Sequence, residues 1–368
     1  MGSDIFNAIW LNPFKIEWIC RRQDDVTTLR HGIEKKLRKM VKREMISAEV
    51  KADREQNIRI STAYESLAEC DLVIESIIEN IETKQELFKN LEKIVNDSCI
   101  LTTNTSSIPL ETVFELCQNK SRCFGLHFFY PISIINIVEL NKIDASSQQL
   151  AEVCKTFLAQ IEKKYIELAE PVNFILNKIY ITMLAQAFEV YREGGVAVAD
   201  LDEAVKTRFC LMGLFEVMDS VGINIIYNIL TNFNNKRYAK LYDPLIAKCD
   251  QLLDKGFTGG NNGFYSYEEQ HGSVNTELDN KDKYLAELLT KLECLLINEI
   301  IFYLSKDENL KQNISDGVKE ALGLHRNPKV LAEELGYDFI KNKLSTYFDE
   351  TRNVLYKIDE DILRQYIQ

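Results

Sequence analysis

An α/β unit built on a parallel sheet, followed by all-helical units, is the architecture that this sequence predicts. Two observations predict it. Through residue 169, short apolar strand-like runs alternate with segments of helical periodicity, the pattern of βαβ units. Beyond Glu170-Pro171 the strand signals cease and helical periodicity alone remains.

The elements follow in order. Ile5–Leu11 suits a helix and Lys15–Cys20 a short strand. From Thr28 to Arg43 the apolar residues Leu29, Ile33, Leu37 and Val41 recur every four residues, which makes an amphipathic helix. Ile58–Ser61 and Leu72–Ile74 read as strands, the latter continuing into Glu75; Lys84–Val95 reads as a helix turning Leu87, Leu91, Ile94 and Val95 inward. Cys99–Thr102 and Cys123–His127 are further buried strands, with a helix near Leu110–Leu116 between them. Helices are then expected at Asn177–Tyr191, Asp200–Phe209 and Ile223–Phe233, a glycine-rich loop at Gly256–Gly263, and a second helical block from Lys281 onward. Ala204-Val205-Lys206 with Asp219-Ser220-Val221-Gly222 is echoed about 114 residues later by Gly317-Val318-Lys319 with Glu333-Glu334-Leu335-Gly336, which suggests a duplicated helical domain. Three domains are therefore expected, at 1–169, 170–270 and 271–368.

Bulk properties narrow the function. A chain of 368 residues can bury two or three cores. Its net charge of −12 argues against nucleic acid as a general partner. No apolar run approaches the roughly 18–20 residues that span a bilayer. The first twenty residues lack a basic region and a cleavage site, and Phe6 stands where myristoylation wants Ser or Thr. A cytoplasmic protein with no membrane partner is expected. The nine cysteines are scattered singly with no C-x-x-C pair, so they read as small core residues, with no metal site and no disulfide.

Four stretches carry chemistry. They are Asp71-Leu72-Val73-Ile74-Glu75 with Glu79-Asn80 and Lys84; Thr103-Asn104-Thr105-Ser106-Ser107; Gly125-Leu126-His127-Phe128-Phe129-Tyr130-Pro131 with Glu139 twelve residues after the histidine; and Phe174-Ile175-Leu176-Asn177, followed at a distance by Asp219, Gly222 and Phe264-Tyr265. Oxidising a secondary alcohol needs a base of near-neutral pKa, and histidine is the usual one. His127 follows an apolar strand, at the carboxyl end where open α/β sheets bind ligands, and a carboxylate such as Glu139 can hold its other nitrogen. Taken singly, each feature has a plainer reading: a structural histidine, a turn at Asn104–Ser107, a capping Asn177, an exposed Glu79–Lys84 pair.

In their order and separations these stretches resemble the L-3-hydroxyacyl-CoA dehydrogenases, over residues 1 to about 268 and more weakly beyond. The resemblance implies a Rossmann-type N-terminal domain and an all-α C-terminal part. It also implies NAD as cofactor, an acyl-CoA substrate, a role in fatty-acid β-oxidation or butanoate-type metabolism, and a homodimer formed through the helical domain. By the same resemblance His127 and Glu139 are catalytic, Ser106 bonds the substrate oxygen, and Asn177 orients substrate or histidine. Glu79, Lys84 and Asn104 lie with the cofactor. The seven basic residues between Arg30 and Arg43, Lys36 and Lys39 among them, suit the phosphates of coenzyme A.

The sequence departs from the family pattern at its beginning. Gly2 corresponds to the third glycine of G-x-G-x-x-G, and the first strand and first two glycines are expected to be missing. Asp4 places a carboxylate where a pyrophosphate is attracted. The acidic residue that binds the adenosine ribose is replaced by Cys20, followed by Arg21-Arg22, so NADP is a possible alternative. Three readings stay open: an active hydroxyacyl-CoA dehydrogenase, a chain that keeps the fold and acyl-CoA binding without redox catalysis, and a related dehydrogenase of sugar acids.

Overall fold

The computed structural model describes residues 1–170, 172–193, 196–271 and 281–368. The chain divides into two compact units, Met1–Glu170 and Pro171–Gln368.

The first unit runs α1 (Gly2–Ile9), β1 (Ile16–Ile19), α2 (Gln23–Lys42), α3 (Ala48–Asn57), β2 (Ile58–Ser61), β3 (Leu72–Glu75), α4 (Ile81–Leu91), β4 (Ile100–Thr103), α5 (Leu110–Val113), β5 (Cys123–Phe128), β6 (Ile137–Lys142), α6 (Gln148–Gln160) and β7 (Lys164–Ala169). The expected α/β class is present, with a difference in the sheet. β1 and β2 form a two-stranded parallel sheet by themselves, while the other five strands form a second sheet in the order β3-β4-β5-β6-β7. Within the second sheet every pair is parallel except β5–β6, which is antiparallel. Among the described residues β1 pairs only with β2 and β3 only with β4. The burial pattern reflects this. β4 is buried along its whole length, whereas Leu72, Val73 and Ile74 of the edge strand β3 remain half-buried.

Helix α1 joins the two sheets through side chains. Ile5 packs into the core of the five-stranded sheet with Phe124, Leu126 and Val138. Phe6 and Trp10 pack with Ile16 and Leu37 over the two-stranded sheet, and Ile9 touches both clusters. Phe6 lies 4.3 Å from Trp18, centroid to centroid. Helix α3 has almost no apolar face and begins at a capping serine, Ser47, whose hydroxyl accepts the Val50 amide at 3.2 Å.

The second unit is all helical: α7 (Ile175–Glu193), α8 (Val198–Arg208), α9 (Leu214–Val221), α10 (Ile223–Phe233), α11 (Ala239–Asp254), α12 (Phe264–His271), α13 (Lys281–Leu304), α14 (Ile314–Leu322), α15 (Pro328–Leu335), α16 (Tyr337–Thr351) and α17 (Glu360–Ile367). The two blocks expected on either side of residue 270 fall within one compact unit and have some local features in common. α9 and α15 are eight residues each, and each ends at a glycine of positive φ, Gly222 at 109° and Gly336 at 78°. Lys178 lies over the ring of Phe233 at 5.1 Å, and Lys291 over that of Tyr347 at 5.2 Å. The blocks meet at an antiparallel bridge, where Leu211 N donates to Gly323 O at 2.9 Å and His325 N donates to Phe209 O at 3.0 Å. Arg208, from one block, and Arg326, from the other, both bind the fully buried carboxylate of Glu293.

Two buried aspartates tie helix starts in place. Asp202 accepts from the amides of Phe215 and Glu216 at the start of α9 and from the Tyr265 hydroxyl. Asp219 accepts from the amides of Phe264 and Tyr265 at the start of α12. Burial raises both carboxyls above the ordinary aspartate range, against the pull of these donors. The Asp219, Gly222 and Phe264-Tyr265 pattern is thus a capping device.

Gly263 passes so close to Asp219 that an added Cβ would lie 2.1 Å from a carboxylate oxygen, whereas Gly32, inside α2, has nothing within 4 Å. Gly263→Ala is expected to lower stability by about 1–3 kcal/mol, and Gly32→Ala to raise it by about 0.5–1 kcal/mol. Urea denaturation followed by circular dichroism measures both; equal effects would refute the close approach.

Candidate active site

The antiparallel turn of the chain between β5 and β6 sets the site. In that register His127 is paired directly opposite Glu139. His127 Nδ1 donates to Glu139 Oε2 at 2.7 Å, with the imidazole 5% exposed and the carboxylate fully buried. Phe129 lies against the imidazole at 4.4 Å between centroids. A buried carboxylate on Nδ1 fixes the ring's orientation.

The second component is the loop after β4. Thr103 is paired with Gly125, so the chain leaves β4 beside the strand that ends in His127. Asn104 Oδ1 accepts the Phe128 amide at 2.9 Å and fastens the loop to that strand. Ser106, half-buried, follows two residues later, and its amide donates to Glu79 Oε1 at 3.3 Å. Thr105 donates its hydroxyl to the same Glu79 oxygen.

Glu79 belongs in turn to a buried ionic cluster. Lys84 donates to both oxygens of Glu75, at 2.7 and 2.9 Å, and lies 3.2 Å from Glu79. Lys84 is 1% exposed and Glu75 3%. The plainer reading of Glu79–Lys84 as an exposed helix pair is therefore incorrect; the lysine is inside, because Glu75 at the end of β3 supplies its counter-charge. Thr103 completes the cluster by donating to Glu75 Oε2 at 2.6 Å. The sequence offered no sign of the parts played by Thr103 and Thr105. Of the described groups, Glu79, 25% exposed, is the one in this cluster that reaches the surface.

The groups expected near a nucleotide gather at strand ends. α1 begins at Gly2, whose Cβ position would lie 3.7 Å from Ser76, just past β3. Cys20 closes β1, donating its amide to Ser61 O at 2.8 Å, and is buried. Arg21 is exposed, and Arg22 is engaged by Asp25 at 2.9 Å. The carboxyl ends of β1, β3 and β4 together with a helix N-terminus fit a dinucleotide, since such ends carry amide donors and open crevices. Lys36 and Lys39 lie on the exposed face of α2, where Lys36 Nζ donates to Asn7 at 2.9 Å and sits 5.2 Å from the Trp10 ring. Asn177 is in the second unit, in the first turn of α7, and is buried.

Residues 1–171 match the family profile described as 3-hydroxyacyl-CoA dehydrogenase, NAD binding domain, and residues 174–267 that described as its C-terminal domain. The chain belongs to the 3-hydroxyacyl-CoA dehydrogenase family. It is accordingly an oxidoreductase that uses NAD(H). The human mitochondrial hydroxyacyl-coenzyme A dehydrogenase is 30% identical over 280 residues, covering 73% of this chain and 88% of the relative. A 3-hydroxybutyryl-CoA dehydrogenase of Clostridioides difficile is 27% identical over 242 residues, covering 64% and 85%. In fold, the crystal structure of the Escherichia coli 3-hydroxybutyryl-CoA dehydrogenase superposes with a TM-score of 0.83 at 19% identity, covering 100% of this chain and 96% of that one. Among the described residues no group of His, Cys, Asp and Glu could hold a metal ion, no helix is long and apolar enough to cross a membrane, and all nine cysteines are free.

Removing the Lys84 amine would leave Glu75 buried without its counter-charge. Lys84→Met is expected to destabilise by about 3–5 kcal/mol, and the double variant Lys84→Met with Glu75→Leu to regain most of that loss. Chemical denaturation of the pair reads this out; a single variant as stable as the parent would refute the internal role.

Proposed function

We propose that this protein interconverts L-3-hydroxyacyl-CoA and 3-oxoacyl-CoA, with His127 as the acid–base residue and Glu139 as its positioning partner. The observation that supports it most is the 2.7 Å bond between His127 Nδ1 and Glu139 Oε2 beside the loop that carries Ser106. In the oxidative direction Nε2 of His127 takes the proton of the 3-hydroxyl group, and Glu139 stabilises the resulting imidazolium. The Ser106 hydroxyl donates to the same substrate oxygen and favours the developing negative charge. Asn177 is assigned the orientation of the substrate. Bound NAD supplies the acceptor for the hydride that leaves carbon 3. Its binding is assigned to Gly2, Cys20, Arg21, Asn104 and Glu79, with Lys84 acting through Glu79. Lys36 and Lys39, on an exposed basic face in an acidic protein, would meet the coenzyme A phosphates. Fatty-acid β-oxidation is the pathway this reaction serves.

Turnover is followed by the loss of nicotinamide absorbance with acetoacetyl-CoA and either NADH or NADPH. NADH oxidation is expected, and NADPH oxidation would assign Arg21 to a 2′-phosphate. His127→Gln is expected to lower kcat about 10²–10⁴-fold, and Glu139→Gln to lower it without a matching change in KM. Lys36→Glu with Lys39→Glu is expected to raise KM for the thioester while kcat holds. An unchanged kcat in His127→Gln would remove the assignment; binding of acetoacetyl-CoA without turnover would support the non-catalytic reading instead.

A further inference from the structure

A cavity of about 610 Å³ opens in the helical unit between the end of α7, α13 and α16, and the reaction above makes no use of it. Its volume lies within the usual range for small-molecule sites. Val190, Leu288 and Phe339 give it apolar walls, and Lys291 and Lys343 are its two amines. Lys343 is engaged: it binds both oxygens of Glu287 at 2.9 Å, and the Tyr347 hydroxyl donates to the same carboxylate at 2.6 Å. Lys291 differs. Among the described residues no carboxylate lies within ion-pair distance of its Nζ, which instead sits 5.2 Å and 5.3 Å from the ring centroids of Tyr347 and Tyr356.

We propose that Lys291 is an acyl-acceptor amine, and that this cavity receives the apolar tail of an acyl thioester whose carbonyl carbon Nζ attacks. Charge selects the ligand class. Glu189 and Glu193 of α7, Glu287 of α13 and Glu350 near the end of α16 all act on the amine from beyond contact range. They repel a free carboxylate or phosphate and admit a neutral carbonyl. The four carboxylates and the two tyrosine rings favour the ammonium form, yet burial outweighs them and holds the Lys291 pKa below its ordinary value of 10.5. More free base is then present at neutral pH than on an exposed lysine, and the free base is the nucleophile.

The step balances without an oxidant or reductant. A C–N bond forms at the carbonyl carbon, the C–S bond breaks, and the leaving thiolate takes up the proton that the nitrogen sheds. The products are an amide and a free thiol. The modified side chain has lost its charge and placed its acyl tail against Leu288 and Phe339.

The full chain is incubated with the uncharged octanoyl or acetyl thioester of N-acetylcysteamine, and each lysine is followed by peptide mass spectrometry. Lys291 is expected to be octanoylated faster than the exposed Lys35 and Lys42, with a pH midpoint below theirs. The ratio of octanoyl to acetyl transfer is expected to be higher at Lys291 than at Lys35, and Phe339→Asp to reduce that ratio at Lys291 alone. Lys291→Arg should abolish the fast phase and leave the other sites unchanged. Equal rates at Lys291 and Lys35, or an equal chain-length ratio, would overturn the proposal. Since the readout involves no hydride transfer, its failure leaves the dehydrogenase reading intact, and an inactive dehydrogenase leaves this one intact.

Discussion

The reversal of a single strand governs the five-stranded sheet of the first unit. Were β6 parallel to β5, Glu139 would stand elsewhere along the sheet; run antiparallel, it falls opposite His127. A backbone ladder positions both partners, so neither side chain has to be held by long-range packing alone. The loop from β4 is fastened to the same strand through Asn104, and the ionic cluster of Glu75, Lys84 and Glu79 braces that loop from below. Ladder, fastener and brace form a chain of constraint, each link resting on the one before it.

The two buried pairs differ in kind. Lys84 and Glu75 are enclosed, with short bonds to both carboxylate oxygens and a threonine hydroxyl on one of them, so the charges satisfy each other. His127 and Glu139 are joined by the 2.7 Å contact between Nδ1 and Oε2, in register on paired antiparallel strands.

Much of this was legible in the chain itself. Alternating periods showed the α/β half, and the end of strand signals after Pro171 showed the helical half. Ile223–Phe233 begins and ends where its apolar pattern does. β6 and β7 escaped notice because Ile137–Lys142 is nearly all buried and carries no alternation, while Lys164–Ala169 opens on the exposed Lys164 and Tyr165 and is partly charged. α3 escaped because its sequence has little apolar face, and its serine cap was the one available sign. His127 and Glu139 could be named, but their contact depends on strand register, which the residues between them do not spell out. The burial of Lys84 could not be read from its neighbours, because its counter-charge sits nine positions back, on a different element.

The bridge between the two helical blocks has a consequence for how the protein behaves on dilution. Arg208, Glu293 and Arg326, with the main-chain exchange at Leu211 and His325, link halves that one polypeptide carries. Partners joined by a tether meet at a high effective concentration however few molecules are present. An association that would otherwise follow mass action thereby becomes a fixed property of each molecule.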